Sequence, residues 1–275
     1  MPNTTPSLVP RVRSEPANGL VGVGTGVSST CGLTTSGSVL CWDRGVTTVV
    51  EGINEGDSAT QVGAGDSFTC ARTFSGAVKC WGNAGYNQLG DSTSDDRPTP
   101  SLTLLDSSTT DLAVGRNHGC VVTTAGTVQC WGTDSAGELG AGSIGGGSYR
   151  IVTALGLSNV RRVYAAGKHT CATTAAGDIK CWGDNFYGES GTGSNRDVQL
   201  TPFTVAGFPA GVGAVALGEN HTCAESAGAV KCWGRNNTGQ LGDTTTYERP
   251  LPTSVVGLPA AVIALTAGED RKSVV

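Results

Sequence analysis

The chain has 275 residues, a net charge of −5, 15% charged residues and 42 glycines. That acidic balance offers no basic field to hold nucleic acid, and no run of about 18 apolar residues is present to form a membrane span. A chain this long is one large all-β domain or two small ones.

Residues 1–18 open the chain without the charged-then-apolar pattern of a signal peptide. Within them, 4–9 (TTPSLV) matches 99–104 (TPSLTL) and 251–256 (LPTSVV), and all three are expected to be outer strands. A polar connector then leads to residues 20–26 (LVGVGTG), which correspond to 60–65, 111–115, 162–167 and 213–218. These small-residue segments suit a crowded inner strand with close backbone approach.

Each inner segment is followed by a copy of one pattern, spelled most fully at 223–242 as CAESAGAVKCWGRNNTGQLG. Copies begin at Cys31, Cys70, Cys120, Cys171 and Cys223, and hold all ten cysteines and all five tryptophans. A Gly sits near the middle of each, and Gly supplies the positive φ of a tight hairpin turn. Folding there sets the cysteines face to face, which predicts the bridges Cys31–Cys41, Cys70–Cys80, Cys120–Cys130, Cys171–Cys181 and Cys223–Cys232. Loops this short give roughly 2.5–3 kcal/mol each in the chain-entropy model. Paired cysteines point to an oxidising compartment, and their spacing does not suit zinc.

The Cys-Trp steps end at Trp42, Trp81, Trp131, Trp182 and Trp233, with spacings of 39, 50, 51 and 51. A period near 50 with four short strands per unit is the signature of a β-propeller. The predicted units are 19–57, 58–107, 108–157, 158–209 and 210–260, with a partial sixth at 261–269. The first is short because 43–52 replaces the loop that follows the other tryptophans. In those loops Asn236, Asn185 and Asp134 are expected to cap a turn, with Ala84 at the fourth position. Asn87 stands where the others have Gly and is expected to be left-handed. Residues 270–275 (DRKSVV) are what a common sequencing adapter encodes. They are therefore expected to be artefact, with Met1 an internal start.

The repeated HTC…KCWGRNNTGQLG pattern, over residues 20–269, resembles the regulator of chromosome condensation repeat family. The resemblance implies a propeller, usually seven-bladed, of four-stranded antiparallel blades, of which this chain holds about five and part of a sixth. The paired cysteines look like a bacterial exported branch, in which an inhibitor of similar fold acts as a pure protein binder. The best-known family member is a nuclear exchange factor for a small GTPase. Nothing in this chain matches its exchange wedge or a basic chromatin-binding tail.

His118, His169 and His221 each precede a cysteine by two. Residues stamped on successive units read as scaffold, so a hydrogen bond tying an inner strand to its neighbour is expected of them. The five tryptophans read as spacers between blades. Function belongs where units differ, in the loops after Trp. The candidate binding residues there are Asp91, Asp95, Asp96, Arg97, Tyr149, Arg150, Phe186, Tyr187, Arg196, Tyr247 and Arg249. The three aspartates lack any recognised calcium spacing, and no catalytic residue, metal ligand or cofactor motif is assigned.

The expected function is non-enzymatic: extracellular or cell-surface binding of a protein or glycan through one face, without nucleic acid or a membrane span. One alternative is a propeller lyase or glycosidase with its site at the channel mouth. A second is a guanine-nucleotide-exchange-like regulator, which would need free thiols.

Overall fold

A computed structural model describes residues 19–28, 30–43, 46–53, 56–105, 108–145, 148–209, 211–258, 262, 264–268 and 272–274. The strand expected at 4–9 lies outside them. The described residues form five four-stranded antiparallel sheets and a two-stranded one. The first holds β1 (Leu20–Thr25), β2 (Thr30–Thr34), β3 (Val39–Asp43) and β4 (Val46–Val49). The second holds β5 (Ala59–Ala64), β6 (Phe68–Thr73), β7 (Val78–Gly82) and β8 (Arg97–Leu102). The third holds β9 (Thr109–Val114), β10 (His118–Thr123), β11 (Val128–Gly132) and β12 (Ser148–Thr153). The fourth holds β13 (Val160–Ala166), β14 (His169–Thr174), β15 (Ile179–Asn185) and β16 (Asp197–Thr204). The fifth holds β17 (Val215–Leu217), β18 (His221–Ser226), β19 (Ala229–Gly234) and β20 (Arg249–Ser254). Finally β21 (Leu265–Ala267) pairs with β22 (Lys272–Val274), setting Thr266 opposite Ser273 as Ala216 stands opposite Cys223.

Strand order follows the chain within every sheet, and the first strands β1, β5, β9, β13, β17 and β21 pack one against the next. This is a β-propeller, with each sheet a blade. The second and third strands form the predicted hairpins, with Gly37, Gly76, Gly126, Gly177 and Gly228 at φ between 74° and 90°. All five predicted disulfides are formed, with Cα atoms 4.0–4.1 Å apart. The last bridge spans nine residues rather than ten because its turn is shorter. Ser226 pairs with Ala229, leaving a two-residue turn in which Ala227 (φ 53°) and Gly228 (φ 82°) are both left-handed.

The core lies in the seams between blades. Trp131, Trp182 and Trp233 are fully buried there, each on the third strand of its blade. Covering an indole removes about 150–250 Å² from water, on the order of 4–6 kcal/mol of transfer free energy. Each indole also donates to a carbonyl in the loop of the preceding blade: Trp131 Nε1 to Gln88 O (2.9 Å), Trp182 Nε1 to Glu138 O (2.9 Å) and Trp233 Nε1 to Glu189 O (2.7 Å). Trp81 and Trp42 are half-buried, and the Trp42 indole nitrogen meets no such carbonyl among the described residues.

The histidines correct one expectation. His118 Nε2 lies 2.9 Å from Thr170 Oγ1, and His169 Nε2 lies 3.0 Å from Thr222 Oγ1. Both bonds join second strands of consecutive blades, not an inner strand to its neighbour. The two threonine hydroxyls donate to the same carbonyls the indoles use, Glu138 O (3.0 Å) and Glu189 O (3.1 Å). A hydroxyl has one proton to give, so His118 and His169 must carry theirs on Nε2. Burial pushes the His118 pKa down to about 4 and that of His169 to about 3. Both rings therefore stay neutral, and the stability they permit is lost as pH falls below their unfolded value of about 6.5. His221 is buried at the equivalent position of β18.

Thr170→Val should cost about 1–3 kcal/mol in urea unfolding at pH 7, because it strands the buried His118 N–H. Adding His118→Phe, which copies Phe68 at the equivalent position of β6, should cost less than the sum of the two single changes.

Candidate functional site

In the third blade Val114 pairs with Gly119, and His118 pairs with Gly132. The end of β9, the start of β10 and the end of β11 therefore share one edge of the sheet. The same register holds in the other complete blades, so the loops after Trp-Gly and the ends of the inner strands emerge on one face.

At the centre of that face is a cavity of about 350 Å³, lined by Gly26, Gly65, Gly115, Gly167, Gly218 and Gly268 among others. Close approach requires glycine here: a Cβ on Gly167 would fall 2.1 Å from Glu219 O. The backbone is stitched from blade to blade, Asp66 N to Arg116 O (2.8 Å) and Arg116 N to Gly167 O (2.9 Å). Arg116 then spans the mouth, pairing with Asp66 (3.0 Å) and with Glu219 two blades on (3.1 Å). Asp66, Arg116 and Glu219 at the channel mouth are thus engaged with one another.

The loops after Trp-Gly begin as core. Asn236 Oδ1 accepts Leu241 N (2.9 Å), Asn185 Oδ1 accepts Ser190 N (2.9 Å) and Asp134 Oδ1 accepts Leu139 N (3.3 Å). Where the second blade has Ala84, Asp96 Oδ1 takes the Ala84 amide from the far side of the loop (2.8 Å). Asn87 is left-handed, with φ 57°.

Several candidate residues are committed to their own loops. Asp91 accepts Thr93 N (3.0 Å), Thr93 Oγ1 (2.8 Å) and Arg97 Nε (2.9 Å). Asp243 accepts Thr245 N (3.0 Å), Thr245 Oγ1 (2.8 Å) and Arg249 Nε (2.7 Å). Burial pushes the Asp243 carboxyl up, but the bonds from Arg249, Thr245 and Asn236 outweigh it and hold the group well below the usual range. Asp91 is lowered by the same balance of causes. The two loops share the spacing Asp-x-Thr-x-x-x-Arg, a signal of this brace that the assignment of Asp91, Arg97 and Arg249 as binding residues passed over. Asp95 is exposed on the loop of the second blade and Arg150 on strand β12 of the third, and the Tyr149 side chain lies outside the described residues. Among the described residues no three His, Cys, Asp or Glu side chains converge as a metal site.

Phe186, Tyr187 and Arg196 come together on the loop of the fourth blade. The two rings meet edge to face with centroids 4.9 Å apart. The Arg196 guanidinium sits 4.4 Å over Phe186 and 5.6 Å from Tyr187. Arg196 Nη2 reaches both oxygens of Glu248 on the next loop (2.9 and 3.1 Å). Arg235, beside the next Trp-Gly, lies 5.4 Å from Tyr187. Tyr247, next to Glu248, is 73% exposed, and Phe186 46%. Sequence reasoning missed Arg235 and Glu248, which join this patch from about 50 residues away.

Models of the regulator of chromosome condensation (RCC1) repeat match residues 59–88, 110–138, 160–189 and 227–270. The chain belongs to the regulator of chromosome condensation repeat family. Among curated relatives, the human probable E3 ubiquitin-protein ligase HERC3 is 33% identical over 130 residues, covering 46% of this chain and 12% of the ligase. The Arabidopsis thaliana ultraviolet-B receptor UVR8 is 35% identical over 108 residues, covering 38% of this chain and 24% of the receptor. This repeat chain therefore spans a small part of those relatives. Human WBSCR16 superposes with a TM-score of 0.85 at 17% identity, over 94% of this chain and 72% of that one. Yeast RCC1 (Prp20), in its structure with Kap60, gives 0.83 at 20% identity, over 93% and 67%. Those two likenesses are of fold.

Asp243→Ala should lower stability by roughly 1.5–3 kcal/mol at pH 7 in urea unfolding, the range for hydrogen bonds to a charged group. Asp95→Ala on its exposed loop should stay within about 0.5 kcal/mol of the parent.

Proposed function

We propose that this propeller is a non-enzymatic binding module of an oxidising, extracellular setting, and that it engages a protein through the loop face of the fourth and fifth blades. The observation that carries this reading is the patch of Phe186, Tyr187, Arg196, Arg235 and Glu248, gathered from two loops onto one seam, with exposed Tyr247 next to Glu248 in the chain. Tyr and Arg are the residue types enriched at protein interfaces and their energetic centres. Arg196 is held at φ 66°, a conformation uncommon outside glycine. The patch is also preorganised, since the Arg196–Glu248 pair fixes one loop against the other.

The choice of protein over glycan rests on the rings. Sugar stacking needs an open aromatic face, and a Phe186 face is covered by a guanidinium while Phe186 and Tyr187 meet edge to face. Fold neighbours support protein partners in general: one structure shows Kap60 bound to yeast RCC1, and another concerns the binding of Prp20p to Gsp1p and histones. The five disulfides support the oxidising setting. Absence of turnover is supported by the channel mouth, where both carboxylates, Asp66 and Glu219, are held by the one guanidinium of Arg116.

Panning a random displayed-peptide library on the full chain should enrich peptides whose affinity falls at least tenfold on Phe186→Ala and on Arg235→Ala, about 1.4 kcal/mol or more. Enrichment only of glycans on an array, or peptides indifferent to both changes, overturns the reading. Thiol titration of the denatured, unreduced chain should find none before reduction and ten after.

A further inference from the structure

One position of the loop after Trp-Gly differs between copies in a way the fold does not demand. It holds Gln88, Glu138, Glu189 and Gln240 in the four complete copies. Every one of these side chains folds back to accept an amide two residues earlier: Tyr86 N (2.7 Å), Ala136 N (2.6 Å), Tyr187 N (2.8 Å) and Thr238 N (2.9 Å). Their second terminal atom has separate fates. Gln88 Nε2 donates to Asn83 (3.0 Å), Gln240 Nε2 to Asn237 (3.5 Å), and Glu138 Oε1 accepts the Ser135 hydroxyl (2.9 Å). Glu189 Oε1 is buried and meets no hydrogen-bond partner among the described residues. Where the other loops offer Asn83, Ser135 or Asn237, this one has Asp184 and Phe186.

The surroundings disfavour a negative charge. Asp184 on its own loop and Glu248 on the next are both acidic neighbours. Arg196 is engaged with Glu248, and Arg235 lies against Tyr187. Behind the loop, the Glu189 carbonyl receives Trp233 and Thr222, and Thr222 follows His221 and receives His169. Glu189 thus meets the fifth blade through its backbone carbonyl, while its carboxyl bonds within its own loop.

We propose that Glu189 is a proton-operated latch: as a neutral carboxyl it stays buried in loop 185–196 and leaves the Glu189 carbonyl docked on the fifth blade, and its ionisation frees that loop and disassembles the patch. As regulation of binding this rests on the reading above, while as a property of the loop it stands alone. Burial pushes the Glu189 carboxyl up to about 8, with Asp184 and Glu248 acting in the same direction. An opened loop returns it to the ordinary value near 4.5. The sign follows from linkage. Closure is fully favoured below about 4.5, weakens as pH rises from there to about 8, and then levels. His169 acts oppositely, because its neutrality is challenged only toward acid.

Amide hydrogen exchange on the full chain, corrected for intrinsic rates, tests this without any partner. In the parent, opening of residues 186–191 should rise at least tenfold between pH 5.5 and 7.5. In Glu189→Gln it should stay flat, and Gln88 and Gln240 show that the fold accepts glutamine there. Glu138→Gln, whose parent carboxyl has Ser135 as partner, should leave the slope in 186–191 intact. A flat parent profile, or the same slope in Glu189→Gln, overturns the latch and leaves the binding reading untouched. A slope abolished by Glu189→Gln while panning yields no peptide sensitive to Phe186 or Arg235 supports the latch and overturns the binding reading.

Discussion

The structure depends on a backbone carbonyl that belongs to one blade and is used by the next. Glu138 O and Glu189 O each accept an indole N–H and a threonine hydroxyl from the following blade. That threonine in turn orients a histidine of the blade that owns the carbonyl. A buried acceptor left unmet costs about 1–3 kcal/mol, so the loop carrying it cannot wander without exposing a cost in the neighbouring blade. The seam is therefore specified by direction, whereas apolar packing alone would tolerate sliding. The second-to-third seam uses a reduced version: Phe68 replaces histidine, Gly119 replaces threonine, and Trp131 Nε1 donates to Gln88 O.

This arrangement divides each loop after Trp-Gly into two zones with different freedoms. The first turn is shaped internally by Asn185 or Asn236 and by the Gln or Glu that follows, and in the third and fourth blades the carbonyl of that Glu commits it to the seam. Beyond it the chain is held by local braces, Asp91 with Arg97 and Asp243 with Arg249. A brace of this kind lets the tip vary in sequence while its two ends stay in register. The fourth loop departs from the plan, because its arginine, Arg196, pairs across the seam with Glu248 rather than within its own loop. That departure is what brings aromatic and cationic side chains from two blades into one patch.

How much of this was legible in the sequence follows from where partners lie along the chain. Hairpins, bridges and blade spacing were readable because Cys, Gly and Trp recur in phase and their partners sit about ten residues away, within one copy. The role of His118 was not readable, because Thr170 lies 52 residues on and its equivalent in the previous copy is Gly119. Asp91, Arg97 and Arg249 looked like binding residues because charge in a variable loop resembles function. The repeated Asp-x-Thr-x-x-x-Arg spacing carried the signal of a brace. Arg235 gave no signal at all: its position holds Asn83, Thr133 and Asp184 in the other copies, and only folding sets it beside Tyr187.

The local bridges also decide how the molecule answers a pull on its ends. Each disulfide closes off the hairpin between its cysteines, nine or ten residues apart, so tension passes through the sulfur atoms and never reaches the turn. An extended residue spans at most about 3.3–3.6 Å, so the five closed loops withhold roughly 150 Å of contour from any stretched state. A blade torn from its neighbours would still keep its central ribbon, with Cys and Trp already in register. Re-formation would then be a matter of docking ribbons along their seams rather than of searching for strand partners.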